Sequence, residues 1–307
     1  MTQRLRGSTA ATAAGALVVA GVLGFALAGH RDDFAQALSA APIWVLLTAT
    51  ALQLVALLSR CEAWHTCVSA AGGVISRRRL FHAGGLGNLG SLLNAQVGAA
   101  ARIGILRRSG RDEVPHIPAL IAAEVPIIAI EAALAVLSSY TLVGPLGLPW
   151  WSPLVGFALA VSVVLGLRKL AGKGHGVWAG LAVLRSLDGR RRVTAFVLLA
   201  VFAQIFRNWL VLRALGVDAS IFDATAVLIA MVALSQLPIG PSVGAAAVVM
   251  ILGAGGVALT AAAGVLLTAT GIAGALCFAA WAGIDVLARP RERARRRAVR
   301  VAAAPAG

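Results

Sequence analysis

The chain has 307 residues, 59% of them hydrophobic and 13% charged, with a mean hydropathy of +0.87. A soluble domain of that length would not hide so much apolar surface, which places the chain among polytopic membrane proteins. The net charge of +15 does not point to nucleic acid, because the basic residues fall in short clusters between apolar runs, with almost no aromatics beside them to stack on bases.

Arg4 and Arg6 precede an apolar run at 8–29, and His30-Arg31-Asp32-Asp33 follows it. That run is long enough to span a bilayer. Ala26-Leu27-Ala28 also resembles a signal-peptide cleavage site, which is the competing reading. A second run, 42–59, fades through Arg60, Glu62 and His65 toward Arg77-Arg78-Arg79. Residues 81–106 are apolar but interrupted by glycine, with arginine clusters at both ends. Like charge at both ends predicts entry and exit on one side, hence a re-entrant helical hairpin.

Residues 117–141 are expected to cross outward to an uncharged Gly144–Trp150 turn, where Trp150 and Trp151 suit an interfacial aromatic belt. Residues 152–167 cross back to a basic loop at 168–192, in which Val177–Leu187 is too short to span and is expected on the membrane surface. Residues 193–215 cross outward again. The stretch 224–256 then consists of two apolar pieces joined by Pro238-Ile-Gly-Pro-Ser-Val-Gly244. Each piece holds roughly 14 residues against the ~20 needed to span, so a second hairpin is expected, dipping in from the other side. Residues 257–287 return to an arginine-rich tail at 289–307.

The two hairpins share a sequence. Asn94-Ala-Gln-Val-Gly-Ala-Ala-Ala-Arg-Ile-Gly-Ile-Leu106 and Gly240-Pro-Ser-Val-Gly-Ala-Ala-Ala-Val-Val-Met-Ile-Leu252 carry the same Val-Gly-Ala-Ala-Ala core and the same Ile-Leu ending, almost half a chain apart. Broken apolar segments at matching positions of two halves point to a site built on internal repeats. The expected fold is therefore an all-α polytopic membrane protein of about six spanning helices plus two re-entrant hairpins. It forms one domain over 1–288, with repeat 1 at about 8–141 and repeat 2 at about 152–287. Three crossings per half make the second copy inverted, so the hairpins face each other with access from either side. Basic clusters place both termini in the cytoplasm. Arginine used in preference to lysine fits a GC-rich bacterial genome, and hence a bacterial inner membrane.

Ionisable groups inside spans are costly and mark function or pairing. Arg102 follows the Gly98 break, where a guanidinium can fork onto a phosphate or carboxylate. Glu124 and Glu131 lie two helical turns apart on one face, with Pro126 between them to bend the helix. They are candidates to bind a cationic group, relay protons, or pair with Arg102 or Arg207. Arg60 and Arg207 occupy nearly equivalent places in the two repeats and are candidate gates or headgroup contacts. Asn94, Gln96, Pro238, Pro241, Ser242 and Gly244 sit at the two breaks, where unwound backbone offers amides and carbonyls to a ligand. Gly85-Leu-Gly87-Asn-Leu-Gly90 matches a dinucleotide fingerprint in spacing but follows no strand, so it is read as close helix packing. The sequence contains no P-loop, HExxH, nucleophile elbow or catalytic triad in a plausible context. Cys61, Cys67 and Cys277 have no metal-ligand spacing.

At the hairpins the chain resembles the transmembrane flippase-like domain of lysylphosphatidylglycerol synthases. Gly98 and Arg102 match its first motif; Gly244 with Pro238 and Pro241 match its second. Asn94 stands where that family has proline, Gln96 where it has arginine and Ala99 where it has an acid, and Ala245-Ala246-Ala247 follow Gly244 where it has glutamate. The resemblance implies a stand-alone, diverged flippase-like domain without the synthetase, moving a phospholipid or lipid-linked headgroup across the membrane. It implies no enzymatic activity and no cofactor, and membrane lipids as partners. The alternative is a non-transporting scaffold or accessory subunit of a lipid- or envelope-synthesis enzyme.

Overall fold

The computed structural model describes residues 41–91, 95–109, 116–173, 176–235, 243–253 and 256–302, together with Asp32, Gln36 and Ser39. The run at 8–29 lies outside them. The described residues are all-helical, with no strand. The α-helices are α1 (Ile43–Ala70), α2 (Arg77–Ser91), α3 (Ala95–Ser109), α4 (Ile117–Ala122), α5 (Val125–Leu137), α6 (Ser152–Lys173), α7 (Leu187–Ala214), α8 (Ile221–Leu234), α9 (Val243–Leu252) and α10 (Val257–Ala302). Two 3₁₀ segments, Ser139–Leu142 and Gly176–Arg185, connect them. Four helical stretches are long and apolar enough to cross a membrane: Ile43–Ala70, Ile117–Leu137, Leu187–Ala214 and Val257–Ile284. They leave Leu47, Leu58, Ile128, Leu199, Phe202, Leu276 and Ile284 exposed on the outer surface, a pattern that a bilayer covers and water does not.

Helices α1 and α7, both 28 residues long, form the most extensive helix pair. Val45 and Ala49 pack with Val211, Leu212 and Leu215; Ala56 with Ala200 and Ala203; Ala63 and Trp64 with Val193 and Val197. Rising numbers on one helix meet falling numbers on the other, so the two run antiparallel, crossing where alanine lets the backbones approach. Both end in the same way. Gly72 (φ +89°) and Gly216 (φ +83°) take the left-handed conformation that only glycine adopts cheaply. The following amides, of Gly73 and Val217, then reach back to the carbonyls of Val68 and Leu212.

The helix predicted over 117–141 breaks at Ala123–Glu124, because Pro126 cannot donate to the preceding turn. Helix α6 doubles back along α5, with Gly156 against Val136. The second 3₁₀ segment does not lie apart on a membrane surface as its length predicted. Leu181 and Val183 are buried, and the segment packs against α4, α6, α1 and α7, because its apolar side chains fill the space beside the short α4. Ile43–Ala70 and Val257–Ile284 thus run one way along the bundle, and Ile117–Leu137 and Leu187–Ala214 the other, because α6 turns the chain back between the latter two. One end of the bundle holds Arg77–Arg79, Arg107, Arg108 and Arg190–Arg192. The other holds the 143–151 turn and the 217–220 link, with Trp44, Tyr140, Trp150, Trp151 and Phe222 exposed there.

Helices α2 and α3 pack as an antiparallel hairpin with their backbones nearly touching. A Cβ placed on Gly90 would lie 3.2 Å from the Cα of Gly98, and one on Gly87 would lie 3.1 Å from the Cα of Arg102. Gly85 packs on α10, against the Phe278 carbonyl. The Gly85/Gly87/Gly90 spacing is therefore a packing device. Helices α8 and α9 form the second hairpin, opened by a capping box in which Ser220 and Asp223 satisfy each other's backbone amides. Gly244 abuts Gly264 and Thr268 of α10. The described residues show no common packing plan in the two halves: α10 touches both α2 and α9, whereas the main neighbours of α4 and α5 are α6, α7 and the second 3₁₀ segment.

Candidate functional site

Charge inside the bundle lies along α1 and is shared out unequally. Near its basic end, Trp64 is buried beneath Arg102 of α3, whose guanidinium carbon sits 5.2 Å from the ring centroid. Arg102 donates through Nη2 to Oε1 of Glu124 at 2.9 Å, the two side chains being 22% and 18% exposed. The carboxylate is available because the helix breaks there, turning Glu124 toward α3 instead of continuing a regular turn.

About two turns further along, Arg60 Nη2 donates to Oε2 of Glu131 at 2.8 Å; here the side chains are 44% and 24% exposed. Each of the two carboxylates thus takes one arginine. Glu62 is near Arg77, at 3.6 Å.

Arg207 of α7 is different. It is 4% exposed and its neighbour Asn208 is 0% exposed. Its Nη1 donates to the side-chain oxygen of Gln53 on α1, and its Nη2 to Oδ1 of Asn208 at 3.3 Å. Space for this comes from α10, where Gly271 lies beside the guanidinium and Gly274 beside the Gln53 side chain. Among the described residues no carboxylate reaches Arg207, and neither its Nε nor the Nδ2 of Asn208 has a hydrogen-bond partner. A buried guanidinium held by two neutral amide oxygens and carrying an unused donor is an anion-binding arrangement. Gln53 lies eleven positions before Trp64, so the Arg207 level is about 16 Å along α1 from the Arg102 level.

The structure thus gathers Arg60, Arg102, Glu124 and Glu131 around one half of α1 and sets Arg207 apart on the other half. Gly98 packs on Ser91 at the closed end of the first hairpin, and Gly244 packs on α10 in the second. Asn94, Pro238, Pro241 and Ser242 lie outside the described residues, as does the side chain of Gln96. Sequence reasoning missed Gln53, although an amide in the middle of the 42–59 apolar run was a signal of the same kind as the ones it used. It also missed Trp64, whose role depends on a fold contact with Arg102. Among the described residues no group of histidine, cysteine and carboxylate side chains could hold a metal ion. No family model, curated protein or solved structure matches the chain.

Proposed function

We propose that the chain is a multi-pass protein of a bacterial inner membrane, with both termini cytoplasmic, that carries a phospholipid or lipid-linked headgroup across the bilayer. In this reading the two helical hairpins are re-entrant, the halves form an inverted repeat, and the hairpins expose a site between them alternately to either face. The likeness of Gly98, Arg102 and Gly244 to the flippase-like domain of lysylphosphatidylglycerol synthases belongs to the same proposal. The single observation that carries it is Arg207, an uncompensated cation enclosed by spans. Crossing the hydrocarbon is expensive for a phosphate. A desolvated guanidinium midway lowers that barrier, because it supplies opposite charge and fixed donors where water is absent. Arg102 and Arg60, already neutralised by Glu124 and Glu131, would exchange those carboxylates for the headgroup as it moves along α1.

Scrambling of a fluorescent phospholipid in proteoliposomes tests this. Wild-type protein is expected to accelerate it, with a sharp fall for Arg102→Ala and Arg207→Ala. Unchanged rates in both variants would remove these residues from the mechanism. The closed Arg102–Glu124 pair favours a second reading, a non-transporting scaffold or accessory subunit of an envelope-synthesis enzyme, since a satisfied pair serves packing equally well. No scrambling by the wild type, together with co-purification of a stoichiometric membrane enzyme, would select that reading.

A further inference from the structure

Among the described residues, four arginines, Arg60, Arg77, Arg102 and Arg207, stand on the helices of the bundle against three carboxylates: Glu131 pairs with Arg60, Glu124 with Arg102 and Glu62 lies near Arg77, so none reaches Arg207. One positive charge is left over, and it is the most deeply enclosed of the four. Beside it the Arg207 Nε and Asn208 Nδ2 are buried donors without acceptors, while the side-chain oxygens of Gln53 and Asn208 already accept from the Arg207 guanidinium. The vicinity therefore offers unused donors and positive charge, and among the described residues no carboxylate for an amine.

We infer that the Arg207–Asn208–Gln53 site takes a net-monoanionic phosphodiester headgroup that carries no amine, such as that of phosphatidylglycerol. Zwitterionic and aminoacylated lipids are disfavoured. The inference deepens the transport reading and rests on it for the source of the anion, a lipid. The physical reason for the selectivity is the charge balance. A monoanion neutralises the leftover guanidinium outright, whereas an ammonium brought with the phosphate would need a carboxylate that Arg60 or Arg102 already holds. A site that hydrogen-bonds a group in a dry interior discriminates strongly, because a mismatched ligand leaves buried charge unpaired.

The test uses the full-length protein in neutral detergent, exposed in turn to phosphatidylglycerol, phosphatidylcholine, lysyl-phosphatidylglycerol and glycerol phosphate, with retained ligand counted by native mass spectrometry. One phosphatidylglycerol per protein is expected, held at least tenfold better than the other three. Arg207→Gln should abolish the preference, but that variant has a second route to failure, since it disturbs a buried network. Gln53→Glu provides the cleaner comparison. It installs a carboxylate opposite Arg207 with almost no change of shape, so the protein should melt at a higher temperature without lipid and retain phosphatidylglycerol at least tenfold less. Equal retention of phosphatidylcholine, better retention of lysyl-phosphatidylglycerol, or undiminished retention by Gln53→Glu would each overturn the assignment. Glycerol phosphate held as well as the lipid would overturn the lipid source. Occupancy is measured at equilibrium, so a wild-type protein that retains phosphatidylglycerol yet fails to scramble lipids loses only the transport reading.

Discussion

The two ion pairs on the α4–α5 face have nearly the same length and different surroundings, which makes them a controlled comparison. Arg102–Glu124 is about four-fifths buried and closed by Trp64; Arg60–Glu131 is more open. Two unit charges about 4 Å apart attract by about 4 kcal/mol at an effective dielectric constant near 20. Part of that is offset by desolvation, leaving an expected coupling of about 2 kcal/mol for the enclosed pair. Solvent or headgroup screening reduces the open pair to about 0.5–1 kcal/mol. Removing one partner of the enclosed pair strands a charge, so Arg102→Met or Glu124→Gln alone should each cost about 3 kcal/mol or more. With a coupling of about 2 kcal/mol, the double variant should then cost about 4 kcal/mol, well short of the sum of the two single costs. The assay is reversible unfolding in mixed micelles, followed by tryptophan fluorescence, run as two double-mutant cycles. Additive costs at Arg102–Glu124, or a larger coupling at Arg60–Glu131, would refute the claim that burial sets the strength of these pairs.

Glycines of α10 provide two further outcomes. A Cβ on Gly274 would lie 2.6 Å from Cγ of Gln53, so Gly274→Ala should push that amide off Arg207 and lower the melting temperature. Gly271→Ala, whose Cβ would rest 3.5 Å from the guanidinium, should be tolerated. A thermal melt that ranks the two the other way removes Gln53 as the partner that matters. At the α9–α10 contact, a Cβ on Gly264 would meet the Gly244 carbonyl at 2.5 Å, so Gly264→Ala is expected to cost about 1–3 kcal/mol by overpacking. Gly104→Ala in α3, with nothing within 4 Å, should instead stabilise by up to about 1 kcal/mol, as the same denaturation would show. In a background of Cys61→Ala, Cys67→Ala and Cys277→Ala, cysteines introduced as Arg78→Cys and Asp218→Cys lie at opposite ends of the bundle. An impermeant maleimide should label them from opposite faces of the membrane, and labelling of both from one face would refute the placing of the two ends of the bundle on opposite sides.

Legibility followed periodicity and charge. The long stretches were visible as apolar runs, although α1 extends past 59 to Ala70. Its final turns carry Cys61, Ala63, Trp64, Cys67 and Val68 into the core, and hydropathy alone stops at Arg60. Arg60 and Glu62 can sit within that helix because their partners, Glu131 and Arg77, come from other elements, which no run of sequence displays. The break at Ala123–Glu124 was foreshadowed by Pro126. The burial of the segment around Leu181 and Val183 was not, since ten apolar residues suit an interface as well as a core until the shortness of α4 leaves a gap to fill. For the site, the arginines and glutamates were legible as ionisable groups within apolar runs. The assignment of Glu124 to Arg102 and of Glu131 to Arg60, and the isolation of Arg207, depend on which helices face each other.

One helix connects these features. Through Gly85 against Phe278, α10 holds the first hairpin; through Gly264 against Gly244, it holds the second; and through Gly271 and Gly274 it makes room for Arg207 and Gln53 between them. At Gly85 and Gly264 the contact is glycine against backbone, so a displacement of α10 there passes directly to the backbone opposite, whereas Gly271 and Gly274 meet the side chains of Arg207 and Gln53. The α1–α7 pair, locked by its alanine crossing, is the part least able to follow. Motion of either hairpin is therefore expected to appear at Arg207 as a change in how tightly Gln53 caps the guanidinium. In the transport reading proposed above, that would link access from one end of the bundle to the charge at its centre.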